Sequence, residues 1–193
     1  MPRERLSEAR INQLLDQTME IIVANGGFSN LRMADLARRL CCSTGTLYRI
    51  APSKESLVVS AFNRWAEKAF AESKAKAETE KTASRRARRF FREIIARRLP
   101  QANGVQTDIE RYEGTRRASD DLSARIRAQM EEYFGKAIDD GEMRMIDPRL
   151  AVDGFEFMAE RIMATPNLVG DGEAFRRRAN EVEMVIWEGL LPR

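Results

Sequence analysis

Histidine is absent from this chain. Its absence excludes Ser-His-Asp and Cys-His catalysis, His-ligated zinc and imidazole pH switching. Cysteine is scarce: Cys41 and Cys42 are the only two, and they are neighbours. Two thiols cannot make a four-thiolate metal site, and adjacent cysteines close no loop. A disulfide framework is therefore excluded, and a reducing cytosol is the expected compartment. Glycine (11) and proline (6) are few among 193 residues, which favours helices over strands and turns. No run approaches the roughly 18 apolar residues that a bilayer span needs. The start, Met1-Pro2-Arg3-Glu4-Arg5, has no apolar signal segment behind it. The expectation is a soluble, cytoplasmic protein with no membrane partner.

What is present is a chain rich enough in apolar residues (43%) to bury a core, with 33% charged residues. The charge is uneven. Residues 1–57 carry 8 Lys/Arg against 6 Asp/Glu; residues 58–100 carry 12 against 5; residues 101–193 carry 13 against 19. A basic first half suggests an anionic partner, although the first 57 residues are only mildly basic.

Helical periodicity runs through the whole sequence. It predicts a first helix over 6–25, with Ile11, Leu14, Leu15, Met19 and Ile22 in phase and Asn25-Gly26-Gly27 as its stop. Short helices follow over 31–40 and from Ser43, a good N-cap, to 49 or 50. A fourth begins at Ser53 and carries Leu57, Ala61, Phe62, Trp65, Ala69 and Phe70. The stretch 71–84 is Ala, Lys, Glu, Ser and Thr, and reads as a solvated helix end, a linker or both. Further helices are expected over 84–99, 106–117 and 120–139, from Asp147-Pro148 onwards, and over 173–191. That makes an all-α chain of about nine helices, without strands or internal repeats.

One window carries chemistry: residues 28–57, FSNLRMADLARRLCCSTGTLYRIAPSKESL. Two short helices are joined by a tight turn, and the second opens at Ser43. This is helix-turn-helix spacing, over about 32–51. The second helix shows Ser43, Thr44, Thr46, Tyr48 and Arg49 around most of its circumference, with Leu47 as its one core anchor. Such a helix must meet water or a polar partner, and the edges of bases in the major groove are such a partner.

This window resembles the tetracycline-repressor (TetR) family of bacterial transcriptional regulators. The resemblance rests on Gly27-Phe28, Asp35-Leu36-Ala37, Ser43-x-Gly45-Thr46-Leu47-Tyr48 and Ser53-Lys54-Glu55-x-Leu57, and covers about residues 7–68. It implies an N-terminal helix-turn-helix DNA-binding domain at 1–52 and a helical effector-binding and dimerisation domain at 53–193. It implies double-stranded DNA as partner, a second copy of the chain in a homodimer, and a small-molecule effector of unknown identity. No cofactor or metal is implied, and nothing in the sequence points to an enzyme.

The resemblance assigns DNA contacts to Ser43, Thr44, Thr46, Tyr48 and Arg49. It implies a close backbone approach to DNA at Gly45, and phosphate contacts from Lys54 and from Arg32 and Met33 at the start of the second helix. Three positions depart from the family pattern. Ile50-Ala51 stand where a polar phosphate contact is usual. Cys41-Cys42 stand for Gly-Val in the turn, so Cys41 takes a position that often needs positive φ. Arg32 replaces a common Thr. A second reading follows from Ile50-Ala51 and the mild charge: a helical dimer of the same fold that binds a small molecule or protein and has lost specific operator binding.

The aromatics Phe62, Trp65, Phe91, Tyr112, Tyr133, Phe134 and Phe155 are candidates for an effector pocket, with plain core as the alternative. Phe157, Ile162, Val182, Ile186 and Leu190 are candidates for the dimer interface. The vicinal cysteines read either as a thiol-sensing turn or as small turn residues. Seven arginines between 85 and 98 read either as an anion site or as a solvated face around Phe90, Ile94 and Ile95.

Overall fold

In the computed structural model the described residues, 6–98, 103–163 and 172–192, form nine α-helices and no strand. Side chains are described throughout these except at 98, 103, 158–163, 172–176, 178–179 and 182. The helices are α1 (Glu8–Ala24), α2 (Met33–Arg39), α3 (Thr44–Ile50), α4 (Lys54–Glu78), α5 (Ala83–Arg98), α6 (Asn103–Arg111), α7 (Glu113–Asp139), α8 (Pro148–Met163) and α9 (Gly172–Leu190). The all-α expectation holds. No described helix is long and apolar enough to cross a membrane.

α1 starts where the Ser7 hydroxyl accepts from Arg10 N–H (3.3 Å) and buries Leu14, Leu15, Met19 and Ile22 on one face. It ends at two glycines with positive φ, Gly26 (71°) and Gly27 (139°), and Gly27 N–H returns to Ile22 O (3.0 Å). Of the two readings of 71–84, the helix end holds as far as Glu78: α4 continues to there, because Ala69, Ser73 and Ala77 stay buried on one side while lysines and glutamates cover the rest. One helix differs from the sequence reading. α7 starts at Glu113, not near 120. There the Thr115 hydroxyl, fully enclosed, donates to the carbonyls of Ile109 (2.9 Å) and Tyr112 (3.0 Å), which ends α6 and turns the chain into α7.

The chain forms two compact units: Met1–Lys68 with Gln101–Leu122, and Ala69–Pro100 with Ser123–Arg193. In the first, Leu14, Ile22, Phe28, Leu36, Leu47 and Leu57 form a core that Val105 and Ile109 of α6 complete. Arg64 holds Asp16 with two parallel bonds (2.7 and 3.0 Å), tying α4 to α1. The expected functional boundary at 52/53 lies inside this unit.

The second unit is built around Phe90, Phe134, Phe155 and Trp187; Phe134 stands 5.5 Å from Phe155 and 5.7 Å from Trp187 between ring centres. Its buried Glu183 accepts from Arg88 (2.6 Å) and Arg92 (2.8 Å). Arg86 pairs with Glu78, Arg89 with Glu93 and Arg97 with Glu72. Most of the arginines in α5 therefore serve ion pairs within the fold. Glu142 accepts from Ser84 N–H (2.8 Å) at the start of α5 and so caps that helix from another part of the chain.

Candidate nucleic-acid interface

α3 is short and its orientation depends on few contacts. The Ser43 hydroxyl accepts from Thr46 N–H (3.0 Å) and lies 2.9 Å from the Thr46 hydroxyl. On the inner side Leu47 is completely buried. Ser43, Thr44, Gly45, Tyr48 and Arg49 are exposed, Tyr48 at 54%, and Thr46 is half-buried. An aromatic ring left more than half exposed beside a well-filled core is displayed, not packed. At Gly45 a Cβ would meet nothing closer than Ser43 Oγ at 3.6 Å, so no neighbour within the protein excludes a side chain there.

Arg32 stands exposed at the start of α2, where its N–H donates to the Asp35 carboxylate (3.1 Å). Asp35 also pairs with Arg38 (2.7 Å). The Met33 side chain is buried in the core, so what this residue can bring to a phosphate is its backbone N–H. Arg38 and Arg39 add exposed cations along α2. In the turn, Cys41 takes φ 50° and is exposed, as expected of a residue standing where glycine is usual. Cys42 packs against the core, and burial pushes its thiol up, which makes it a poorer nucleophile. Ile50 packs against the core and Ala51 is buried, so the two departures there are apolar residues in apolar surroundings.

Lys54 opens α4, and its ammonium is not idle. It donates to the carbonyls of Phe28 (3.3 Å) and Ser29 (3.2 Å). On the N–H side of the same loop stands Asp108 of α6, which accepts from Phe28 N–H (2.6 Å), Ser29 N–H (2.7 Å) and the Ser29 hydroxyl. Burial pushes the Asp108 carboxyl up, but the bonds from Ser29 and Phe28 and the charge of Arg111 outweigh it, and the group ends below its ordinary value. Sequence reasoning missed Asp108. It sits on a weakly patterned helix 79 residues beyond Ser29, and no local signal marks it.

The seven aromatics expected to line a pocket fall into different units. Phe62, Trp65 and Tyr112 belong to the first, where Phe62 meets Trp65 (5.6 Å) and Tyr112 meets Phe28 (5.0 Å). Phe91, Phe134 and Phe155 cluster with Trp187 in the second. Tyr133 packs on Phe90 (5.9 Å) and donates to Glu78 (2.8 Å), and burial pushes its phenol up. Of the expected interface residues, Phe157 is exposed at 63%, whereas Leu190 is buried and Ile186 packs against the core of its own unit. The side chains of Ile162 and Val182 lie outside the described residues. Leu150, Met184 and Val185 are also exposed. Among the described residues no group of three or more His, Cys, Asp or Glu side chains is placed to hold a metal.

A short polar helix, anchored by one leucine behind a tight turn and exposed on its other sides, is the arrangement of a helix-turn-helix. Residues 14–61 match the family model of bacterial regulatory proteins, tetR family. No curated protein matches the chain. Many solved structures share its fold, among them the three that follow. A TetR transcription regulator from Haloarcula marismortui has TM-score 0.81 and 13% identity, over 95% of this chain and 100% of that one. A transcriptional regulator from Saccharomonospora viridis in complex with choline has 0.73 and 17%, over 96% and 100%. A ketosteroid transcriptional regulator of Mycobacterium tuberculosis has 0.65 and 16%, over 97% and 98%. Residues 14–61 are thus similar to the tetR family of bacterial regulatory proteins, and the chain along nearly its whole length shares the fold of these solved regulators.

Proposed function

We propose that this chain is a DNA-binding transcriptional regulator of the tetR family, a ligand-responsive repressor that binds a palindromic operator as a homodimer. Residues 1–52 read DNA; residues 53–193 bind the effector and dimerise. The observation that carries the reading is α3, held by the buried Leu47 while Thr44, Gly45, Tyr48 and Arg49 face outwards. Thr44, Thr46, Tyr48 and Arg49 meet base edges or phosphates, and the bare face at Gly45 lets the backbone approach them. Ser43, Arg32, the Met33 N–H and Lys54 meet phosphates.

Exposed Leu150 and Phe157 on α8 and Met184 and Val185 on α9 support a second copy as partner. A twofold dimer presents two α3 helices to half-sites about one helical turn, or a small multiple of it, apart. The cluster of Phe91, Phe134, Phe155 and Trp187 is the better candidate to hold an effector, since the Trp187 indole N–H is buried there without an acceptor. The choline complex of the Saccharomonospora viridis protein supports a small molecule as the ligand class. An effector acts by binding one of two states of the regulator more tightly.

Selection of genomic fragments by the purified protein tests this. Enrichment of a near-palindromic site, with affinity that falls steeply with salt, is the expected result. Weak binding that tracks salt alone, with no enriched site, would sink the operator reading. The apolar Ile50-Ala51 pair would then favour a ligand- or protein-binding dimer of the same fold.

A further inference from the structure

The peptide group between Phe28 and Ser29 is gripped at both ends. Its N–H donates to Asp108, and its carbonyl accepts from Lys54. A carboxylate thus stands at the positive end of the peptide dipole and an ammonium at the negative end, and each polarises the bond the other makes. The approach is close enough to require glycine. A Cβ on Gly27 would stand 2.6 Å from Asp108 Oδ2, and one on Gly104 would stand 1.9 Å from Gly26 O. Asp108 is nearly enclosed, and every hydrogen bond it makes here goes to Phe28 or Ser29.

An ammonium has three donors. The carbonyls of Phe28 and Ser29 take two, which leaves one for an acceptor outside the loop. A lysine side chain left to itself samples many rotamers, a freedom that must be given up when it is fixed on a phosphate. Fixing it in advance removes part of that cost. We infer that Asp108 is a positioning residue for DNA binding: through the Phe28–Ser29 peptide it holds the Lys54 ammonium where a phosphate takes its remaining donor. This rests on the phosphate contact assigned to Lys54 above. It extends the reading apparatus from the first 57 residues to α6.

A double-mutant cycle on the full chain tests the inference, with affinity for the genomic duplex that the wild-type protein enriches followed by fluorescence anisotropy. Asp108→Asn should weaken binding about fivefold by loosening Lys54, a fraction of the rotamer cost above. Lys54→Met should weaken it further and lower the slope of log affinity against log salt by about one. In the Lys54→Met background, Asp108→Asn should change affinity by less than about twofold. Ser29→Ala, which removes one of the three bonds to Asp108, should act in the same direction and also vanish without Lys54. Melting curves of each variant establish that it is folded. Equal losses from Asp108→Asn with and without Lys54, or no loss in either, would overturn the inference and leave the Lys54 contact standing. If Lys54→Met itself moves neither affinity nor salt slope, the phosphate contact fails, and the inference fails with it.

Discussion

The two units bury an acid in opposite ways. In the first, Asp108 is held by two backbone N–H groups and a hydroxyl; in the second, Glu183 is held by the guanidinium groups of Arg88 and Arg92. Backbone donors cannot follow a displaced carboxylate, so the Asp108 site demands a close backbone fit and the glycines that permit it. Long arginine side chains can follow, so the Glu183 site tolerates shifts between α5 and α9. The first arrangement fixes a geometry. The second neutralises charge between two helices of one unit.

The chain has two tryptophans, Trp65 in the first unit and Trp187 in the second. Trp187→Phe and Trp65→Phe variants therefore give fluorescence melts that report each unit separately, and the comparison can be broken unit by unit. The largest effect is expected from Arg88→Ala with Arg92→Ala. It strands a carboxylate that is only 2% exposed, at a cost of about 4 kcal/mol. Either arginine alone should cost much less, because the other remains. Gly104→Ala comes next, at about 3 kcal/mol, since its Cβ would overlap the Gly26 carbonyl and both partners are backbone. The loss should show in the Trp65 signal first.

Acid separates the units less sharply. Asp108 and Glu142 both lie below their ordinary carboxyl values when folded. For Glu142, as for Asp108, burial pushes the group up, and hydrogen bonds, here from residues 82–84, more than reverse it. A depressed folded value means that the stability from each group is complete above its unfolded value, 3.8 for Asp108 and 4.5 for Glu142. It is lost as pH falls towards the folded value. Melting temperature should therefore drop in both signals on acidification, from slightly higher pH in the Trp187 signal. Asp108→Asn should flatten the drop in the Trp65 signal alone.

The smallest effect on stability is expected at Gly45. With open space around it, Gly45→Ala should stabilise α3 by up to about 1 kcal/mol through helix propensity. If the face at Gly45 meets DNA, the same change should weaken operator binding several-fold. A stabilised protein with unchanged affinity would remove Gly45 from the interface.

The first unit was legible because its signals are local. Ser43 caps, Leu47 anchors and Gly26-Gly27 stop a helix, each within a few residues of the structure it makes. A family model can match residues 14–61 for the same reason: the spacing of two short helices and a turn is set by geometry over a short span. The later helices, in both units, offered only the helical period. That period predicted the helices, but left open whether 71–84 is helix end or linker, and did not show that α7 begins at Glu113 on a buried threonine.

The sequence by itself determined an all-α chain, a helix-turn-helix near its start and the residues that α3 displays. These follow from capping, periodicity and the contrast between one apolar and several polar positions in a single short helix. Only the tertiary structure decided that α6 completes the first core, that Asp108 reaches back to Phe28 and Ser29, and that the aromatics divide between two units. These are contacts between residues far apart along the chain. A buried carboxylate or phenylalanine carries no local mark of its partner, because what fixes the pair is the packing of whole helices, not the period of either one.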